Sequence, residues 1–422
     1  MKLIKRNNST FKKYFLIYLS FLFFFAIFFL YTKHQVGNDS TISEWLINYE
    51  GGFTKRGIIG QISIYLSYIL ELTLRESILL FQIFIVAIYY FLFFLFFKNF
   101  KINKFILLAI FSPIFILYPV AEIEVLARKE FFIFSAFLVF LLFRGKNIRH
   151  FSRLFIFPIT VLIYEPVILF LPFWIMIDMI EKKIENFNSD IILLISPYIP
   201  SIFVAFYIAF NPMGDLKHDA MANFLAKNFN EVCYMSCAYL KTKSSILAQF
   251  TDHASHYSFE VFFRYSLIIL IGFGPLFLLA FFSKLRFKNI LFFNKFKNNF
   301  FILIFILSPG FLLFAMGYDW GRWVNINYSY AALFYLYIIK NDHVYFNQNK
   351  IDQLTYKFFS KKKFFVFFFI IFCFGWNPKT VMTGDVASFP GYRIPYKTFK
   401  IIKNKYIKNH STKNLFFIKK LS

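Results

Sequence analysis

The chain has 422 residues, of which 59% are hydrophobic and 16% charged, with a formal net charge of +25. That balance excludes an ordinary soluble domain, which at this length needs far more polar surface. The charge argues against nucleic acid as the partner, because the cations fall in short loops between apolar runs, the positive-inside pattern of a membrane protein whose loops face anionic lipid.

The basic start (Lys2, Lys5, Arg6, Lys12, Lys13) runs straight into an apolar span at 14–31 with no small-residue cleavage site. A retained span is therefore expected there, not a cleavable signal peptide. Further spans are expected near 77–97, 105–120, 131–143, 151–164, 167–180, 190–210, 261–282, 300–316, 324–339 and 364–376. Several are shorter than the roughly 20 residues of an upright helix, a deficit that snorkelling Lys and Arg can absorb. The break at Glu165-Pro166 is placed there because proline disfavours helix at the residue before it and removes a backbone donor. The expected fold is all-α: one integral membrane domain over 1–422, a polytopic bundle of about 11 spans with short helices on its outer face.

With the N-terminus in the cytoplasm, the inner loops collect Lys98, Lys101 and Lys104, then Arg144, Lys146, Arg149 and Arg153, and later Lys284, Arg286, Lys340 and Lys350. The outer segments are then a first loop at 32–76, a large loop at 211–258 and a basic tail at 377–422. Most acidic residues fall on the outer side.

The first outer loop is the most informative segment. Thr41 and Glu44 have capping-box spacing, which predicts a short helix from Ile42 to Tyr49 presenting Trp45 and Tyr49 on one interfacial face. Gly51-Gly52 ends it, and Lys55-Arg56 follows, poised to meet an anion such as a diphosphate. Asp39, Glu44 and Glu50 are its candidate carboxylate bases, with Glu44 equally readable as a cap.

A second cluster, Glu122, Glu124, Arg128, Lys129 and Glu130, lies hard against the span at 131–143. Charges so close to hydrocarbon serve a site or line a cavity, although Glu124 and Arg128 also suit a self-satisfied helical pair. Glu165 stands alone between apolar runs, where a carboxylate needs a partner or the water boundary. In Gly317-Tyr318-Asp319-Trp320-Gly321-Arg322-Trp323, Asp319 and Arg322 can pair, and Trp320 and Trp323 offer flat faces that suit sugar rings or an aromatic belt. Asp252-His253-Ala254-Ser255-His256 has a metal-ligand spacing, but loop histidines are usually solvated and no metal site is assigned. Cys233 and Cys237 can bridge in an oxidising compartment.

Two segments carry a resemblance. Asn48-Tyr49-Glu50-Gly51-Gly52-Phe53-Thr54-Lys55-Arg56-Gly57 and Tyr318-Asp319-Trp320-Gly321-Arg322-Trp323 resemble signatures of polytopic proteins from bacterial polysaccharide loci. The layout is similar to that of GT-C glycosyltransferases, which take sugars from polyprenyl-linked donors and keep a catalytic Asp or Glu in the first outer loop. Here that loop has Asn38-Asp39 where a clear acidic pair is expected, and no soluble domain follows the spans. The resemblance implies a glycosyltransferase of the bacterial cytoplasmic (inner) membrane, acting in O-antigen or capsule synthesis. Its partners would be the lipid bilayer, an undecaprenyl-diphosphate-linked donor, a glycan acceptor and other polysaccharide-assembly proteins. Asp39 first, and Glu50 second, would be the base; Lys55, Arg56, Arg128 and Arg322 would stabilise the departing diphosphate. No cofactor is assigned, a divalent cation being left open. Repeat-unit polymerisation leads, although the large loop lacks the arginines such polymerases often carry. Addition of a single sugar and a lipid-linked oligosaccharide flippase are the alternatives.

Overall fold

The computed structural model describes residues 8–37, 40–184, 189–241, 251, 254, 257–286 and 296–382. Among them strand is confined to Ser283–Leu285 and Val344–Phe346, paired antiparallel; the rest is helix and connecting turns. Four helices are long and apolar enough to cross a membrane: Thr10–Gln35, Leu74–Phe97, Asp190–Phe210 and Phe259–Phe281. In the first, Phe15, Leu19, Leu22, Ala26 and Leu30 recur at helical spacing and are buried, while Tyr14, Ile17, Phe21, Phe24 and Phe28 are exposed. Such an outward face is stable against hydrocarbon and would drive association in water.

Those four helices overlap the expected spans at 14–31, 77–97, 190–210 and 261–282. The break at Glu165 is present: helix Phe157–Ile163 stops, Tyr164 is extended, and a 3-10 turn Glu165–Phe170 leads into Leu171–Lys182. The expected span at 105–120 is not one helix. Lys104–Ile110 ends ahead of Ser112-Pro113, and helix resumes only at Tyr118–Ala121, because Pro113 lacks an amide proton and turns Ser112 away from helical geometry. Part of the first loop is helical where connection was expected. Gly57–Leu70 forms a hairpin with Leu74–Phe97, and the capping box of that second helix is Thr73 with Glu76.

The helix Trp320–Lys340 is the post of the structure, buried from Trp320 to Ile338. Its polar side chains bind neighbouring segments: Asn325 donates to the Ile114 carbonyl (2.9 Å), Asn327 to Gly310 (3.3 Å) and the Tyr328 hydroxyl to Ala109 (2.7 Å). Hydrogen bonds of this kind hold helices together where packing against lipid gives no hydrophobic gain.

After helix Lys362–Phe374 the chain returns as a strap over the start of this post. Gly321 donates its amide to Thr380 (3.1 Å), Met382 to Tyr318 (2.8 Å), and the Tyr265 hydroxyl to the Lys379 carbonyl (3.2 Å). A Cβ at Gly321 would overlap that same carbonyl. Gly321→Ala is therefore expected to lower the stability of the detergent-solubilised protein by about 1–3 kcal/mol through overpacking. Gly274→Ala, with open space around it, should not; thermal unfolding of the two variants checks this.

Candidate functional site

The first loop does not form the helix expected from Ile42 to Tyr49. Only Ser40–Ser43 is helical, and the chain then turns inward, burying residues 41–48. Trp45 is fully buried, and its indole nitrogen donates to the Ala127 carbonyl (3.0 Å). Glu44 is not a cap. Arg128 of the 122–130 segment grips its carboxylate through Nε (3.1 Å) and Nη2, and Arg322 at the head of the post reaches it at 3.4 Å. Arg322 also pairs with Glu130 and, at 3.2 Å, with Asp319. Glu44, Glu130, Arg128 and Arg322 are all buried, so desolvation forces this pairing.

Beside this core lies a more open edge. Arg56 donates to both oxygens of Glu165, each at 2.8 Å, and Lys55 stands 3.5 Å from the same carboxylate. The Tyr164 ring joins edge to core, with the guanidinium carbons of Arg56 and Arg322 each 5.2 Å from its centroid. Lys129 is buried and donates to the Arg56 carbonyl (3.0 Å). Arg56 itself has φ of 66°, and Ala127 beside Arg128 has φ of 52°. Non-glycine residues hold left-handed backbone only where surroundings enforce it, and such positions gather at functional sites. The enforcement here is visible: Arg56 donates its amide to Leu162 (3.2 Å), accepts from Lys129 and is fixed by Glu165.

The electrostatics divide the carboxyls. Burial alone would raise Glu44, but Arg128, Arg322 and Lys129 hold it well below the ordinary carboxylate range. Glu165 is likewise driven down to about 2 against its burial, by Arg56 and Lys55. Asp319 goes the other way: burial raises it, and Arg128 opposes the rise only in part. Burial brings Lys129 down to about 7, with Glu44 partly restoring its charge. Glu44 and Glu165 are thus fixed counter-ions, while Asp319 and Lys129 are shifted toward the range where protons move near neutrality.

Of the residues singled out from sequence, the structure brings together Glu44, Lys55, Arg56, Arg128, Lys129, Glu165, Asp319 and Arg322. Asp39 lies outside the described residues, as do Asp252, His253, Ser255 and His256. Glu50 is exposed and accepts from Gln61 (2.8 Å) instead of joining the cluster. Glu124 is exposed and does not pair with Arg128, because a 3-10 turn and left-handed Ala127 destroy the helical geometry that pairing requires. Glu122 is buried and faces the strap, 3.7 Å from Lys379. The indole faces of Trp320 and Trp323 are not open to a sugar: both rings are buried, Trp320 against Phe262, Tyr265 and Phe314, and Trp323 against Phe314. Tyr164 was missed as a site member, reading as the end of a span, while Glu130 was grouped with the second cluster but given no role of its own.

A second charged cluster, not anticipated, lies at the far end of the post. Asp178 meets Arg153 (3.2 Å), Arg149 (3.6 Å) and the Tyr198 hydroxyl (2.9 Å), while Glu181 meets Tyr337 and His343. At 1.5 Å per residue, Arg322 and Tyr337 are about 22 Å apart along the helix axis.

Removing one partner from the buried core strands the others. Arg322→Ala is expected to cost about 3–5 kcal/mol, read as a fall in unfolding temperature in detergent. Arg322→Lys should recover only part of it, since an ammonium lacks the planar fork. Glu165 titrates near 4.3 when unfolded and about 2 when folded. Its lowered value adds stability above the unfolded pKa that is lost as pH falls toward the folded one. Acid unfolding between about pH 5 and 2 should therefore be shallower in Glu165→Gln than in the parent; equal slopes would contradict the assignment. Comparison with known protein families, with characterised proteins and with solved structures finds no match for this chain.

Proposed function

We propose that the chain is a membrane-embedded glycosyltransferase that takes a sugar from a polyprenyl-diphosphate carrier at the end of the bundle bearing the Glu44 cluster. The observation that carries this reading is the accessible edge of that cluster. There Asp319, 31% exposed, sits 3.2 Å from Arg322, and the Tyr164 ring connects this pair to Arg56, Lys55 and Glu165. Burial raises the Asp319 carboxyl, the direction that favours a general base, and Lys55 is exposed enough to trade Glu165 for a phosphate oxygen.

In the proposed reaction the acceptor hydroxyl oxygen bonds to the anomeric carbon as the bond from that carbon to the diphosphate breaks. The hydroxyl proton passes to Asp319. Lys55 and Arg56 neutralise the charge that grows on the leaving diphosphate, held in place beforehand by Glu165 and by the Lys129 contact to the Arg56 backbone. Asp319 thereby takes the role first assigned to Asp39. Glu44, too acidic to accept a proton readily, anchors the arginines.

The proposed orientation places this end outside, in a bundle of about 11 spans whose N-terminus is cytoplasmic. The Cys233–Cys237 disulfide supports it. Its segment clasps the first loop, with Met221 Sδ 3.5 Å from the Asn48 amide, and disulfides persist in oxidising compartments. The flippase alternative is less well supported, since the post spends Asn325, Asn327 and Tyr328 on helix contacts. Repeat-unit polymerisation remains ahead of single-sugar addition within this proposal.

Surface glycan from a deletion strain, run on a gel, separates the readings. Single-repeat chains would mark a lost polymerase and truncated repeats a lost sugar transferase, whereas an unchanged pattern sinks both. Asp319→Asn at normal expression is expected to reduce glycan formation at least about a hundredfold.

A further inference from the structure

The large loop contains a chemical arrangement that the glycan chemistry does not use. Helix Asp215–Phe229 is followed by a tight return in which Cys233 and Cys237 are bridged. His218, buried on that helix, brings Nε2 to 3.4 Å from Cys233 Sγ and 3.3 Å from the Cys237 carbonyl. Its other ring nitrogen is 3.5 Å from Asp219, whose carboxylate accepts from Lys241 Nζ at 2.9 Å. Carboxylate, imidazole and sulfur thus stand in line.

Three features point to reactivity in place of simple bracing. The cysteines are only four residues apart, at the short end of the range over which closing a loop restrains the unfolded chain. Cys233 is partly exposed while Cys237 is fully buried, so an incoming thiolate has one sulfur to attack. Between them Met235 adopts φ of 44°, a left-handed backbone unfavourable for a side chain of its size.

We propose that Cys233–Cys237 is a thiol–disulfide exchange site whose partner is a dithiol, with His218 as the catalytic group. A partner thiolate attacks Cys233 Sγ, the bond between the two cysteines breaks, and Cys237 leaves and is protonated. The partner's second thiol then attacks its own sulfur in the mixed disulfide. Cys233 departs as a thiolate paired with His218, which holds the second proton. Two electrons and two protons pass from the partner dithiol to the pair, and the partner becomes a disulfide. An imidazolium against the sulfur lowers the thiol pKa and makes Cys233 the better leaving group. Asp219, held by Lys241, stands against the other ring nitrogen of His218; the nearby Glu231 is engaged by Arg75 at 2.9 Å.

The test uses the full chain in detergent, equilibrated in mixtures of reduced and oxidised dithiothreitol and trapped with maleimide. Cys373, buried among the helices, is replaced by Ser to leave two thiols. The bridge is expected to open while the protein stays folded, with Cys233 modified first. The pH midpoint for alkylating Cys233 should lie at least about one unit lower than in His218→Ala. A bridge that opens only in denaturant, or a midpoint that His218→Ala leaves in place, overturns the proposal. If that variant does not fold, Asp219→Asn, altered on the exposed side of the imidazole, takes its place. A midpoint raised in Asp219→Asn supports the site, and an unmoved one overturns it.

Discussion

The buried Glu44 carboxylate is the constraint on which the charged end of this protein depends. A carboxylate with no exposure cannot be left to itself in a low-dielectric setting, so both Arg128 and Arg322 are drawn onto it. Those three residues belong to the first loop, the connection before helix Glu130–Leu142, and the head of the central post. One ionic junction therefore fixes three segments that share no hydrogen-bonded secondary structure. Trp45 and Ala127 tie the first two again through the indole, and Tyr164, whose ring lies near both Arg56 and Arg322, adds a fourth segment. The inner charges are paired, although one oxygen each of Glu44 and Glu130 has no hydrogen-bond partner among the described residues, and at the edge of the junction Lys55, Glu165 and Asp319 keep contact with solvent.

The post connects this junction to a second one. Arg322 lies in the first turn of the helix and Tyr337 near its end, in contact with Arg149, while Glu181 and Asp178 complete the far cluster. The separation of about 22 Å is somewhat less than the roughly 30 Å of a hydrocarbon layer. A helix buried on all sides and charged at both ends suits a slab that is apolar in the middle. Between the ends, hydrogen bonds from asparagine and tyrosine replace the charges, since an amide or hydroxyl that finds a carbonyl costs far less to bury than an ion.

The long helices were legible in the sequence because hydropathy over 18 residues or more does not depend on tertiary context, and so was the interruption at Glu165-Pro166, where the proline acts on its own neighbour. Contacts between distant segments were not legible. The spacing of Thr41 and Glu44 matches a capping box, but Arg128, 84 residues on, competes for the same carboxylate and wins because both partners are buried. Pairing of Arg128 with Glu124 requires a helix, which left-handed Ala127 breaks, and nothing about an alanine announces that conformation. The 317–323 segment stood out because two glycines, an ion pair and three aromatics crowd into seven residues. What its tryptophans do was not legible, since their faces are consumed by Phe262, Tyr265 and Phe314 from other helices.

The division of labour among the carboxyls follows from where each sits, not from which acid it is. Glu44 and Glu165 are held low because two or more cations converge on each, so in the folded protein they remain charged through the neutral range. Asp319 shares Arg322 with both Glu44 and Glu130, and a guanidinium already engaged by two carboxylates has little left to stabilise a third. Burial therefore prevails at Asp319 and its proton affinity rises. The same crowding leaves Asp319, partly exposed and raised in proton affinity, at an edge of the junction close to Arg56. Substituting Glu44 or Glu130 would free Arg322 for Asp319 and lower its proton affinity, so the neighbouring counter-ions set the proton affinity of Asp319.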